Sequence, residues 1–172
     1  TATIESALNQ TWRDVEIVIV DDGSTDDTPA VLQEYAARHP WIRIVTRNDR
    51  GHRSVGPGVI DAFYAGYQTI TPSDFEFMCK LDLDLELPPR YFEILMKRMA
   101  ENPRIATCSG KAYVQEGDQL VPERHGDDTS LGMTKFYRTA CFEKIGGFVR
   151  EVMWDGIDNH RCRMHGWIAC SW

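Results

Sequence analysis

The stretch VEIVIVDDGSTDDT, residues 15–28, decides how this chain is read. Its first half is β-branched and almost wholly apolar, the pattern of a strand covered on both faces. Its second half places Asp21 and Asp22 where that strand leaves the core, then Gly23, Ser24 and a second acidic pair, Asp26 and Asp27. Asp26 or Asp27, followed by Pro29, suits the start of a helix, with Val31, Leu32, Tyr35 and Ala36 on its inner face. A strand, a polar turn and a helix in succession form the opening of an α/β unit. The pattern repeats: Ile42–Val45 is a second strand, Val59, Ala62, Phe63 and Tyr67 mark a helix, and FEFMCKL (75–81) is a third strand. Pro88 and Pro89 open a helix carrying Tyr91, Phe92, Leu95 and Met99. IATCS and KAYVQ read as further strands, and Gly146–Gly147 and Gly166 as helix stops. Alternation of this kind predicts an α/β fold with a mainly parallel central sheet flanked by helices.

Length and composition set limits. The 172 residues suffice for one domain with a real core, and 42% hydrophobic with 26% charged residues is an ordinary globular balance. A net charge of −7 with no basic run excludes nucleic acid as the main partner. The five cysteines are widely spaced without a C-x-x-C pair, which argues against a disulfide framework or zinc ribbon and for a reducing, cytoplasmic setting. No secretory signal or membrane-spanning run is visible, so membrane association is expected only through segments outside this chain.

In an open parallel sheet, ligands bind beyond the carboxyl ends of the strands. Two of the best strands end in aspartates: VEIVIV at Asp21–Asp22 and FEFMCKL at Asp82-Leu83-Asp84. If the backbone stays extended through the second cluster, Asp82 and Asp84 point to the same side, with Glu86 as a third oxygen donor. Such hard oxygen ligands suit Mg²⁺ or Mn²⁺ and leave positions open for phosphate. The alternative is the solvent face of a strand, with Leu83 and Leu85 turned inward.

These residues carry a resemblance. LNQTW, VEIVIVDDGSTDDT, LDLDLELPPRYFE, FYRTACFEKIGGF and WDGIDNHRCRMHGW follow the order seen in family-2 glycosyltransferases of the GT-A fold. The resemblance implies a single domain over 1–172, with a nucleotide-binding half to about residue 86 and an acceptor half after it. It implies transfer of a sugar, with inversion, from a nucleotide-sugar donor, UDP-linked by expectation, to a glycan or lipid-linked acceptor. Asp22 would take the nucleotide base with Asp21 beside it. Asp84 would hold Mn²⁺ or Mg²⁺, and Asp82 the ribose or a metal-bound water. Counting back from Gly166–Trp167 gives Asp155 as the general base, with Asp158 as second choice on the same helix face. Arg53, in the loop with Arg50 and His52, is a candidate for the diphosphate. The chain begins after the position of the family's first strand, so it reads as a piece of a longer protein. Rival readings are a nucleotide- and metal-binding module without turnover and a sugar nucleotidyltransferase, whose glycine-rich G-x-G-T-R loop is not seen.

Overall fold

The structure is a computed structural model describing every residue except 52, 53 and 55. In chain order the elements are α1 (Ala2–Leu8), β1 (Ile17–Asp21), α2 (Thr28–Arg38), β2 (Ile42–Thr46), α3 (Pro57–Tyr67), β3 (Phe77–Leu81) and α4 (Tyr91–Glu101). Then follow β4 (Ile105–Ser109), β5 (Tyr113–Glu116), β6 (Gln119–Pro122), β7 (Thr134–Arg138), α5 (Thr139–Lys144), α6 (Trp154–Met164) and β8 (Ile168–Ser171). The chain divides into two compact units: Asp14–Asp74 with Val149–Trp154, and Thr1–Arg13 with Phe75–Phe148 and Asp155–Trp172. No helix among the described residues is long and apolar enough to cross a membrane.

In the first unit β1 and β2 pair in parallel, Ile17 opposite Ile42 through Asp21 opposite Thr46. Its buried side chains include Ile19, Leu32, Tyr35, Ile42 and Ile60. Gly66 of α3 lies so close to Val20 and Val18 that a larger side chain would have to push the strand aside.

The second unit holds a four-stranded sheet in the order β3-β7-β4-β8. The expected parallel pairing is present at β1–β2 and β4–β8, but β7 enters antiparallel between β3 and β4. It returns after the polar excursion of residues 116–130 and fills the gap between two strands that sequence order alone would place side by side. β1 and β3 therefore belong to separate hydrogen-bonded sheets. β5 and β6 form a separate antiparallel hairpin.

The core of this unit gathers Leu87, Tyr91, Leu95, Met99, Ile105, Cys108 and Phe136, with Phe77, Cys79 and Leu81 of β3 packed against it. Alternation along a strand sends Lys80 to the other face of the sheet. Its cross-strand partner there is Lys135. Both lysines are buried.

Helix α1 is short, and its polar residues hold the chain that follows β3. Thr3 Oγ1 accepts the Leu85 N–H and Ser6 Oγ the Leu87 N–H, each at 3.1 Å. Gln10 donates to the Pro88 carbonyl at 2.8 Å and accepts the Phe92 N–H at 3.2 Å. Buried polar groups are affordable only when bonded in this way.

Candidate active site

In the Asp14–Asp74 unit, the strand-end aspartates have different surroundings. Asp21 is the last residue of β1 and is buried, and its carboxylate accepts the Ser24 N–H at 2.9 Å. It closes the DDGS turn from inside. Asp22 projects further out and is ion-paired with Arg47, at 2.6 Å, and with Arg50. Gly23 makes that meeting possible. Its φ is +87°, and a Cβ there would collide with the backbone of Asp49. The turn and the segment after β2 therefore touch backbone to backbone. The Arg47 N–H donates to the Asp21 carbonyl at 2.8 Å, which brings its guanidinium beside Asp22. Asp26 accepts the N–H of Thr28, the first residue of α2, at 3.0 Å, while the N-cap residue Asp27 makes no side-chain cap bond. Arg53 and His52 lie outside the described residues, so the expected diphosphate contact of Arg53 falls there as well.

In the other unit, the backbone does not stay extended through the D-x-D element. β3 ends at Leu81, and Leu83 and Asp84 lie in a turn, with Leu83 exposed to solvent. The period-two argument for Asp82, Asp84 and Glu86, and the inward placing of Leu83, do not apply to this geometry. Asp82 is anchored twice. Its N–H donates to the Met133 carbonyl at 2.9 Å, and its carboxylate is bonded by the Lys80 ammonium. The same ammonium donates to the Gly132 carbonyl at 3.0 Å. Asp84 is exposed and forms no hydrogen bond or ion pair among the described residues. A solvent-facing carboxylate, with a second one two residues away, suits a divalent ion that takes few protein ligands and keeps positions for phosphate. Among the described residues, no three His, Cys, Asp or Glu side chains gather into a metal-binding group.

Asp155 and Asp158 sit one turn apart on α6 in opposite settings. Asp158 is 1% exposed, and both its oxygens accept from Lys135, at 2.6 and 2.7 Å. The Tyr137 hydroxyl donates to it as well. Burial pushes the Asp158 carboxyl up and the Lys135 ammonium down, in each case against the pull of its partner. The Tyr137 phenol is pushed up, by burial first and then by the neighbouring carboxylate. Asp158 is thus saturated and shielded from solvent.

Asp155 is half-exposed in the first turn of α6, and its carboxylate has no bonded partner among the described residues. Its backbone, by contrast, is tightly held. The Asp155 carbonyl accepts from Lys135 and from Asn159 Nδ2, each at 2.7 Å. Asn159 also donates to the Ser130 carbonyl at 3.2 Å. Leu131 is bonded to Ser109 of β4 at 2.9 Å, so the 130–132 loop is fixed to the sheet. Gly132 then lies directly against the Asp155 carboxylate: a Cβ there would stand 2.6 Å from Oδ2. The stretch around Gly132 thus touches Asp155 on one side and takes the Lys80 bond on the other.

Sequence reasoning missed Lys80, Lys135, Gly132 and Arg47. A lysine inside the apolar run FEFMCKL was the available signal for the first. The other three depend on contacts distant in sequence. Arg138 bonds the Met99 and Ile105 carbonyls and pairs with Glu76. Trp12 and Trp41 are 45% and 46% exposed, whereas Trp154 is buried.

The chain is similar to known proteins in sequence and in fold. The family profile described as Glycosyl transferase family 2 matches residues 1–154. Chondroitin synthase of Escherichia coli is 54% identical over 48 residues, covering 28% of this chain and 7% of that protein. The UDP-Glc:alpha-D-GlcNAc-diphosphoundecaprenol beta-1,3-glucosyltransferase WfaP, also of Escherichia coli, is 67% identical over 33 residues, or 19% of this chain and 13% of that protein. The crystal structure of GalNAc-T7 with UDP, GalNAc and Mn²⁺ superposes over 98% of this chain and 38% of that one, with a TM-score of 0.72 at 14% identity. The chain thus spans well under half the length of each of these proteins. The chain belongs to the glycosyltransferase 2 family, whose model matches residues 1–154, and has the GT-A fold.

Proposed function

We propose that this chain is the donor-binding and transfer part of an inverting, divalent-metal-dependent glycosyltransferase, with Asp155 as general base. The observation that carries the assignment is the contrast on α6. Asp158 is buried and saturated by Lys135 and Tyr137, whereas Asp155 has a fixed backbone and an unbonded, half-exposed carboxylate. A base must reach a substrate proton, and only the second arrangement allows it.

In this reading the acceptor hydroxyl loses its proton to Asp155 as its oxygen attacks the anomeric carbon. The bond from that carbon to the diphosphate oxygen breaks in the same displacement, and the configuration inverts. Asp84, with Asp82 beside it, would hold Mn²⁺ or Mg²⁺, which when bound supplies Lewis-acid neutralisation of the departing diphosphate. Asp82 is also within its role if it meets the ribose. Asp22 accepts hydrogen bonds from the nucleotide base, and Asp21 shapes its turn. Arg53 remains assigned to the diphosphate.

A UDP-linked donor and a glycan or lipid-linked acceptor are favoured by the local likeness to WfaP, whose name specifies both a UDP-sugar and a diphospho-lipid. We place the chain within one domain, on the cytoplasmic side, where nucleotide sugars are made. The test is binding and turnover of UDP-sugars by the full-length protein with Mn²⁺. Asp155→Asn should bind UDP normally and lose transfer, by about 10³-fold for a general base. Retained transfer would remove Asp155 from the role. Binding without transfer in the wild type would instead leave a nucleotide-binding module.

A further inference from the structure

Lys80 is an unusual occupant of β3. It follows Phe77, Met78 and Cys79, and its side chain is only 6% exposed. Directly across the ladder is Lys135, fully buried on the same face. Like charges opposite one another destabilise a sheet unless each has its own counter-charge. Lys135 has Asp158, and Lys80 has Asp82. A buried ammonium without its carboxylate is strongly unfavourable, so Asp82 is committed to neutralising Lys80.

Asp82 therefore faces two ways. Its side chain is 40% exposed, yet its inner neighbour is a fixed positive charge held in place by the Gly132 carbonyl at 3.0 Å. Lysine is a compact point charge, and burial leaves it poorly screened by salt. Any divalent ion that approaches the D-x-D turn meets this charge directly behind one of its ligands.

We propose that Lys80 is a resident cation of the D-x-D element that orients Asp82 and holds down the affinity for a bare divalent ion. Firm metal capture then requires the negative charge of the nucleotide diphosphate as well. Lys80 acts through Asp82, so it is a positioning residue. Its role rests on the assignment of Asp82 and Asp84 to the metal.

The experiment measures Mn²⁺ binding to the full-length protein by the free-ion electron paramagnetic resonance signal, first without nucleotide and then with UDP. Lys80→Met removes the charge at similar volume, and Lys80→Gln keeps a donor for Gly132 should the methionine variant fail to fold. Either folded variant should bind Mn²⁺ alone more tightly than wild type, on the order of tenfold. The enhancement of Mn²⁺ affinity by UDP should shrink accordingly. A merely structural lysine predicts unchanged or weaker metal binding, and that result overturns the proposal. Asp84→Ala separates the two readings. If it abolishes Mn²⁺ binding while the Lys80 variants bind no tighter than wild type, only the role of Lys80 fails. If Asp84→Ala leaves Mn²⁺ binding intact, the D-x-D assignment fails and the role of Lys80 with it.

Discussion

Gly132→Ala perturbs the base candidate without touching it chemically. The new Cβ would stand 2.6 Å from Asp155 Oδ2 and 3.2 Å from its Cγ. Ordinary contact begins at 3.4 Å, so the carboxylate must move by 3.4 − 2.6, about 0.8 Å. Gly132 is not among the glycines with positive φ, so alanine meets no left-handed strain there. The Asp155 carboxylate can rotate away, at a cost of about 0.5–1.5 kcal/mol in stability, while its Cβ, 3.1 Å from the new methyl, must give by a few tenths of an ångström through a small backbone shift. Catalysis should suffer more. A displacement near 1 Å at a reacting group costs up to about 10²-fold. The expected fall in kcat is therefore about 10- to 100-fold, or roughly 1.4–2.7 kcal/mol of barrier. The assay is initial-rate kinetics of transfer on the full-length protein, with UDP affinity and Tm measured on the same preparations. UDP affinity should hold and Tm should change by only a few degrees. A kcat within about twofold of wild type, in a protein that is folded and binds UDP, would refute the reasoning.

Three further outcomes follow from the geometry. Asp22→Asn should weaken UDP binding about tenfold or more by calorimetry, because a charged acceptor is lost; undiminished affinity would dissociate Asp22 from the nucleotide. Lys135→Met should destabilise the fold by about 3–5 kcal/mol in urea, by leaving Asp158 buried and unpaired, and Lys135→Met with Asp158→Leu should recover much of the loss. Glu93 is held down at about 2 from its ordinary 4.5, first by its hydrogen bond from Arg90 and then by that from Thr11. A lowered carboxyl adds stability above pH 4.5 that is lost as pH falls toward 2, so Glu93→Gln should flatten the acid limb of a Tm-against-pH curve in that window.

Much of this was legible from local pattern. The β-branched run before Asp21, the double proline before α4 and the glycine stops after α5 and α6 each carry their meaning within a few residues. The D-x-D pair was legible as residue type, but the turn at Leu83–Asp84 that replaces the expected extended backbone was not: the chain just beyond it is held by Thr3 and Ser6 of α1, some eighty residues away. Asp155 could be picked as a candidate from its distance to Gly166–Trp167. What separates it from Asp158 could not, because burial is set by Lys135 and Tyr137, more than twenty residues upstream. The insertion of β7 between β3 and β4 escaped for the same reason. Strand order is decided by long-range pairing, and no local signal in TKFYR specifies its neighbours.

The facing lysines of β3 and β7 also bear on how the sheet assembles. Along this ladder Cys79 faces Phe136 on the oily side, and Lys80 faces Lys135 on the other. Sliding either strand by one residue would turn its lysine into the hydrocarbon core and expose its apolar neighbours. A mispaired sheet would thus bury an ammonium far from Asp82 or Asp158, an error costly enough to be rejected during folding. The two buried charges therefore act as a ratchet on strand alignment, and removing both would be expected to leave a sheet that can zip up out of step.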